Sequence, residues 1–188
     1  NALYADQKWE SIDAAYQNLP VSTEQILHPE KYPHEEPVRV DIRDLSTGLG
    51  SGWIEKERNQ MGEWYTYLIL SQGFDPAFRL GDISATTASE GWGGDLYLYY
   101  ENPDSLSYYF VWRSVWDSPN DAQEFFGSSR EYGTLRWGEP LKDSENSLVW
   151  QSGDDFYCEI ELDGGQTQWV ISNEPPAAQR VDTNIGNY

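Results

Sequence analysis

Residues 96–115, LYLYYENPDSLSYYFVWRSV, decide the fold. Leu96–Glu101 and Ser107–Val115 are dominated by aromatic and β-branched side chains, which suit a pleated, half-buried surface. Between them, Asn102-Pro103-Asp104-Ser105 is a turn with proline at its second position, where a φ fixed near −65° is already correct. The stretch therefore predicts an antiparallel hairpin. Alternation places Tyr97 and Tyr99 on one face of the first strand, and Tyr108, Phe110 and Trp112 on one face of its partner.

Downstream, Ser118-Pro-Asn-Asp121 is a helix start: serine to cap, proline at the first helical position, an acid at the third. Ala122, Phe125, Phe126 and Ser129 follow at helical spacing. Ser147–Gln151, Asp155–Leu162 and Gln166–Ile171 read as three more strands, the last two joined by Asp163-Gly-Gly165. From Asn173 the pattern is lost, and an extended arm is expected.

Upstream, Gly91-Trp-Gly-Gly-Asp95 leads into the hairpin. Its glycines free the backbone for positive φ or for close approach by another surface. Met61–Ser71 predicts a buried helix and 76–89 a second short one. Val38, Val40 and Ile42 alternate like a strand, and 44–53 reads as loop. Residues 4–18 place Trp9, Ile12, Ala15 and Tyr16 on one helical face. Leu19-Pro20 ends that helix, and Ser22 with Gln25 forms a capping box for the next, with Val21 and Ile26 as its staple. Pro29 closes it, and three prolines make 29–37 an extended loop. The class is α+β: an antiparallel sheet of about five strands with a helix packed on one face, preceded by an N-terminal helical segment. Three parts follow: 1–37, helices and Pro-rich loop; 38–172, the α+β domain; and 173–188, the arm.

Composition narrows function. The 188 residues carry 32 acids against 12 bases, a net charge of −20 and a pI near 4.2. Such a surface excludes nucleic acid and anionic lipid as expected partners, since both need a basic face. Hydrophobic residues make up only 38%, but nine Trp and thirteen Tyr supply a ring-rich core. No apolar run reaches membrane-spanning length, so no membrane span is expected. Cys158, alone and within an alternating strand, reads as a buried structural thiol.

Both histidines fall in Ile26-Leu-His-Pro-Glu-Lys-Tyr-Pro-His-Glu-Glu-Pro37. His28, His34 and Glu30, with Glu35 and Glu36, are weak metal candidates. There is no HExxH pair four residues apart on one helical face, and three prolines deny a rigid scaffold. Asp143–Glu145 and Asp154-Asp155 lack the alternating acids of a calcium loop. No metal, no cofactor and no catalytic residue is expected. Trp92, Asp95 and Trp116 are the candidate recognition residues.

KWESIDAAYQNLPVSTEQILHPEKYP (residues 8–33), Gly91–Asp95, Val111-Trp112, Trp116-Asp117, Asp121-Ala122 and Glu124-Phe125 together resemble zincin-like proteins of the metallopeptidase MA type, found as prokaryotic surface and exported proteins. The resemblance touches about residues 8–137. In those proteins the zinc-binding HExxH lies upstream of the STEQ segment, so none of their zinc ligands maps onto this sequence. The resemblance thus implies the carboxy-terminal portion of such a protein, or a relative lacking the catalytic half, with His28 marking a helix end. The expected function is a non-catalytic acidic domain at the cell surface or outside the cell. Its role is structural or protein-interacting within a larger assembly, through a protein partner or self-assembly. Two alternatives stand beside it: a carbohydrate-binding module using exposed aromatics, and a fragment of a zinc metallopeptidase whose catalytic half is not in this chain.

Overall fold

The computed structural model describes residues 9–73 and 75–181. Its centre is a seven-stranded, wholly antiparallel sheet in the order β1-β2-β3-β7-β6-β5-β4. The strands are β1 (Ile54–Asn59), β2 (Trp92–Asn102), β3 (Ser107–Trp116), β4 (Lys142–Asp143), β5 (Ser147–Ser152), β6 (Phe156–Asp163) and β7 (Gln166–Ser172). The sequence hairpin is β2–β3, paired from Trp92↔Trp116 to Asn102↔Ser107. Helix α6 (Pro119–Trp137) carries the chain from this first meander to the second, whose last strand returns to pair with β3.

Among the described residues the α-helices, named in chain order, are α1 (Trp9–Gln17), α2 (Glu24–Leu27), α3 (Ser46–Leu49), α4 (Gly62–Ser71), α5 (Asp82–Ser89), α6 and α7 (Pro175–Arg180). Alternation along the strands splits the core in two. On one face Trp112, Trp150, Cys158, Ile160 and Trp169 meet Leu70 of α4, Ala85 of α5, and Phe125 and Phe126 of α6. On the other, Leu98, Tyr100, Tyr109, Val111 and Val170 meet Ile42, Leu45 and Leu49, with Ala177, Ala178 and Val181 closing from the C-terminal side. Both faces are covered, where a helix on one face was expected.

Ser118 caps α6 as the sequence predicts: its Oγ accepts from Asp121 N at 3.3 Å. The capping box also forms, one residue displaced. Ser22 Oγ accepts from Gln25 N at 3.1 Å, while Gln25 Oε1 accepts from Val21 N at 2.9 Å. Val21 and Ile26 both stay exposed.

Several expectations are corrected. Val38–Ile42 is an irregular strap lying across the sheet, with Val38 N donating to Gly93 O at 2.7 Å and Ile42 buried. Residues 29–34 are turns closed by backbone bonds from Lys31, Tyr32 and His34. Pro175–Arg180 is helical, because Pro-Pro fits the first helical positions and Ala-Ala packs flat; the remainder of the expected arm, 182–188, lies outside the described residues. The 4–18 helix is observed from Trp9. β1 and the two-residue β4 add to the strands expected: β1 is a charged, exposed edge without apolar alternation. No helix among the described residues is long and apolar enough to cross a membrane.

Candidate binding cleft

Trp92 and Trp116 lie in the interior, 2% and 4% exposed, and Asp95 is fully enclosed. They build the core rather than an outer surface. The Asp95 carboxylate sits at the head of α4. It accepts from Met61 N with both oxygens at 3.1 Å, from Gly62 N at 3.1 Å, and from the Trp112 indole N–H at 2.9 Å. Burial raises its pKa above the ordinary carboxylate value, against the pull of these donors. One side chain thus fixes α4 and Trp112 relative to each other.

The Pro-rich stretch also serves the fold. His28 Nε2 lies 2.8 Å from Glu63 Oε1, and Glu30 is 3.7 Å from His28 Nδ1. His34 is exposed and does not join them. Glu24, Glu35 and Asp117 converge, their oxygens within 4.8 Å of one another, but that point already holds a cation. Lys31 Nζ stands 2.6, 3.1 and 3.1 Å from Glu24, Glu35 and Asp117. Burial disfavours the charged lysine, yet its bonds to the three acids outweigh this and raise its pKa.

A pH prediction arises here. Burial works against a charged His28, but the hydrogen bond and charge of Glu63, with Glu30, more than offset it and raise the His28 pKa. Burial raises that of Glu63. A raised histidine contributes stability that is complete below its unfolded value near 6.5 and is lost as pH climbs through the folded value. The Glu63 shift has the same sign, because its buried ionised form is penalised as pH rises. Proteolytic cleavage within 20–38 is therefore expected to accelerate from pH 6 to pH 9, and H28Q should flatten that dependence. A wild-type rate independent of pH would contradict it.

One open feature among the described residues is a cleft of about 200 Å³ between α4 and the end of α6. Trp112 and Trp169 form its floor with Tyr132; Ile69, Phe110 and Ile171 line its sides; Trp137 and Arg136 stand at the α6 end. The floor rings are locked together, Trp112 on Trp169 at 5.9 Å and Tyr132 edge-on to Trp169 at 6.0 Å. The indole N–H groups are engaged away from the cleft, and the Tyr132 hydroxyl at its rim. Trp112 donates to Asp95, Trp169 donates to Cys158 Sγ at 2.9 Å, and Tyr132 Oη accepts from Arg136 at 3.1 Å. Cys158 is enclosed, and burial raises its thiol pKa strongly, consistent with a structural thiol. Tyr97 and Phe110, centroids 5.6 Å apart, and Tyr99 and Tyr108, 6.4 Å apart, extend the aromatic surface along the hairpin.

Sequence reasoning reached Phe110 and Trp112 but not Ile69, Arg136, Trp137, Trp169 or Ile171. Arg136 was legible only as the base in the last turn of α6. Residues 51–183 match the model of a family described as a domain of unknown function, DUF8575. The chain belongs to this family. The matched DUF8575 span contains every cleft residue and all seven strands, and leaves α1, α2, the strap and α3 outside. No curated protein matches the chain. The family description names no activity, so the likeness to zincin-like proteins rests on the sequence motifs alone.

Proposed function

We propose that the chain is a non-catalytic binding domain whose working surface is the aromatic cleft between α4 and α6. The observation that carries the reading is the floor itself. Three rings interlock there, and the two indoles turn their N–H groups into the protein and offer apolar faces to an open space. Ligand sites are typically concave and mostly apolar, with a few placed polar groups. An apolar cavity of roughly 150 Å³ accepts a benzene ring, so this one suits a ring with a short chain. The titratable groups most suited to chemistry are in fold-building contacts: His28 with Glu63, Asp95 with α4, and Cys158 with Trp169.

The test uses a neutral probe, 3-phenylpropan-1-ol, at millimolar concentration against the indole N–H resonances of the intact chain. Trp137 and Trp169 are expected to shift, Trp92 and Trp116 to stay still, and I69W, which fills the cleft wall, to abolish the response. No shift at Trp137 or Trp169 overturns the reading.

A specific observation favours protein docking as a second surface. None of the residues of α1 is buried, and Tyr16, Leu19, Val21 and Ile26 are each more than 60% exposed. An amphipathic helix normally buries its apolar stripe. Light scattering should then show self-association that Y16S/L19S removes; a monomer that is insensitive to these changes argues against it.

A further inference from the structure

We infer that the cleft takes a small carboxylate with a compact apolar body, and that Arg136 binds its carboxyl group. This rests on the cleft being a ligand site and adds the ligand's chemical class.

The argument is one of complementarity. A floor of indole and phenol faces suits hydrocarbon, and the lining offers few polar groups to pair with a polyol. A sugar ring would leave most of its hydroxyls facing indoles whose N–H groups are already satisfied inside the protein, and unpaired polar groups oppose binding. The lining contains one charged side chain, and it is a cation. Arg136 is exposed at the rim, with its guanidinium 5.9 Å from the Tyr132 ring centroid and 5.8 Å from that of Trp137. These rings and the bond to Tyr132 Oη hold the guanidinium plane at the mouth. One N–H is used there. The guanidinium has five N–H donors in a planar fork that matches a carboxylate with two parallel bonds.

Four other cations pair with acids, Lys31, Lys56, Arg58 and Arg130, while Arg79 donates to the Gly73 carbonyl and Arg113 to Gln168. Among the described residues no acid lies within salt-bridge distance of Arg136. The site places a cation beside an apolar recess and leaves it without a carboxylate of its own. The recess volume of about 200 Å³ sets the size of the apolar part at roughly a phenyl ring plus two or three carbons.

The experiment compares three probes on the intact chain by calorimetry and indole resonances: 3-phenylpropanoate, the isosteric 3-phenylpropan-1-ol, and 3-phenylpropan-1-amine. The carboxylate is expected to bind roughly tenfold or more tightly than the alcohol, as a charge-assisted hydrogen bond to a guanidinium provides, and the amine more weakly than either. R136Q should bring carboxylate and alcohol to equal affinity. R136K should fall between, because it keeps charge but loses the fork. Alcohol and carboxylate binding equally to the wild type overturns the inference and leaves the cleft as a ligand site. No response to any probe overturns both. A concentration-dependent dimer that closes the cleft to all three also overturns the inference, with a second copy as the occupant.

Discussion

Replacing Asp95 by alanine is expected to destabilise the fold by about 3–5 kcal/mol, as the sum of a lost helix cap and orphaned buried donors. The carboxylate is fully enclosed, and three donors converge on it: Met61 N, Gly62 N and Trp112 Nε1. Alanine leaves all three without this acceptor. For a domain of this size such a change lowers the melting temperature by on the order of 10 °C. D95N should fall between, because one oxygen survives as acceptor while the new amide points a donor at donors. The effect should be local before it is global. Amides of α4 lose hydrogen-exchange protection first, and Trp112, freed from its anchor, no longer presents a fixed face to the cleft. Any probe of the cleft should weaken in D95A by more than the melting curve alone explains. An unfolding free energy within 1 kcal/mol of wild type would mean that the donors find other acceptors. D104A, in the exposed hairpin turn, serves as the control and should change little.

The hairpin and its α+β setting were legible because local signals agreed with the fold. Alternating rings, a proline turn and a capped helix each point to the same elements. What escaped was decided by tertiary contact. β1 is Ile-Glu-Lys-Glu-Arg-Asn, mostly exposed, and has no pattern of its own; it is a strand because β2 offers it an edge. The strap at Val38–Ile42 alternates like a strand, but it lies over the sheet rather than in it. Trp92, Asp95 and Trp116 read as a recognition surface because tryptophans among glycines and an acid look adaptable. Only the packing shows that Trp116 is bonded through Nε1 to Thr167 and stacked near Phe125. The cleft was half visible. Phe110 and Trp112 sit on the predicted face, whereas Ile69, Arg136 and Trp169 come from three other elements that no sequence spacing connects.

Gly94→Ala is expected to rival Asp95→Ala in size, for a reason of space alone. A Cβ at Gly94 would stand 2.2 Å from Val38 O, 3.0 Å from Val38 C and 3.2 Å from Val38 N. All three are backbone atoms, so no rotamer change relieves the overlap. The strap is also tied at this point, through Val38 N to Gly93 O, and the register of β2 shifts between Trp92 and Gly94 to let it pass. The two glycine uses foreseen in Gly91-Trp-Gly-Gly-Asp95 are therefore both present: Gly91 has φ +76°, and Gly94 admits another backbone. With alanine, either β2 moves or the strap lifts, and lifting is the softer path. It uncovers Ile42, Leu45 and Leu49, which seal the second core. Overpacking against side chains typically costs 1–3 kcal/mol, and against fixed backbone we expect about 3 kcal/mol or more. Proteolysis within 20–53 and exchange at Val38 should rise well before the sheet itself opens. Gly127 supplies the opposite case: it is helical, and nothing lies within 4 Å of its built Cβ. G127A should stabilise α6 by roughly 0.5–1 kcal/mol. Equal melting temperatures for the two glycine variants would refute the assignment of Gly94 to a backbone crossing.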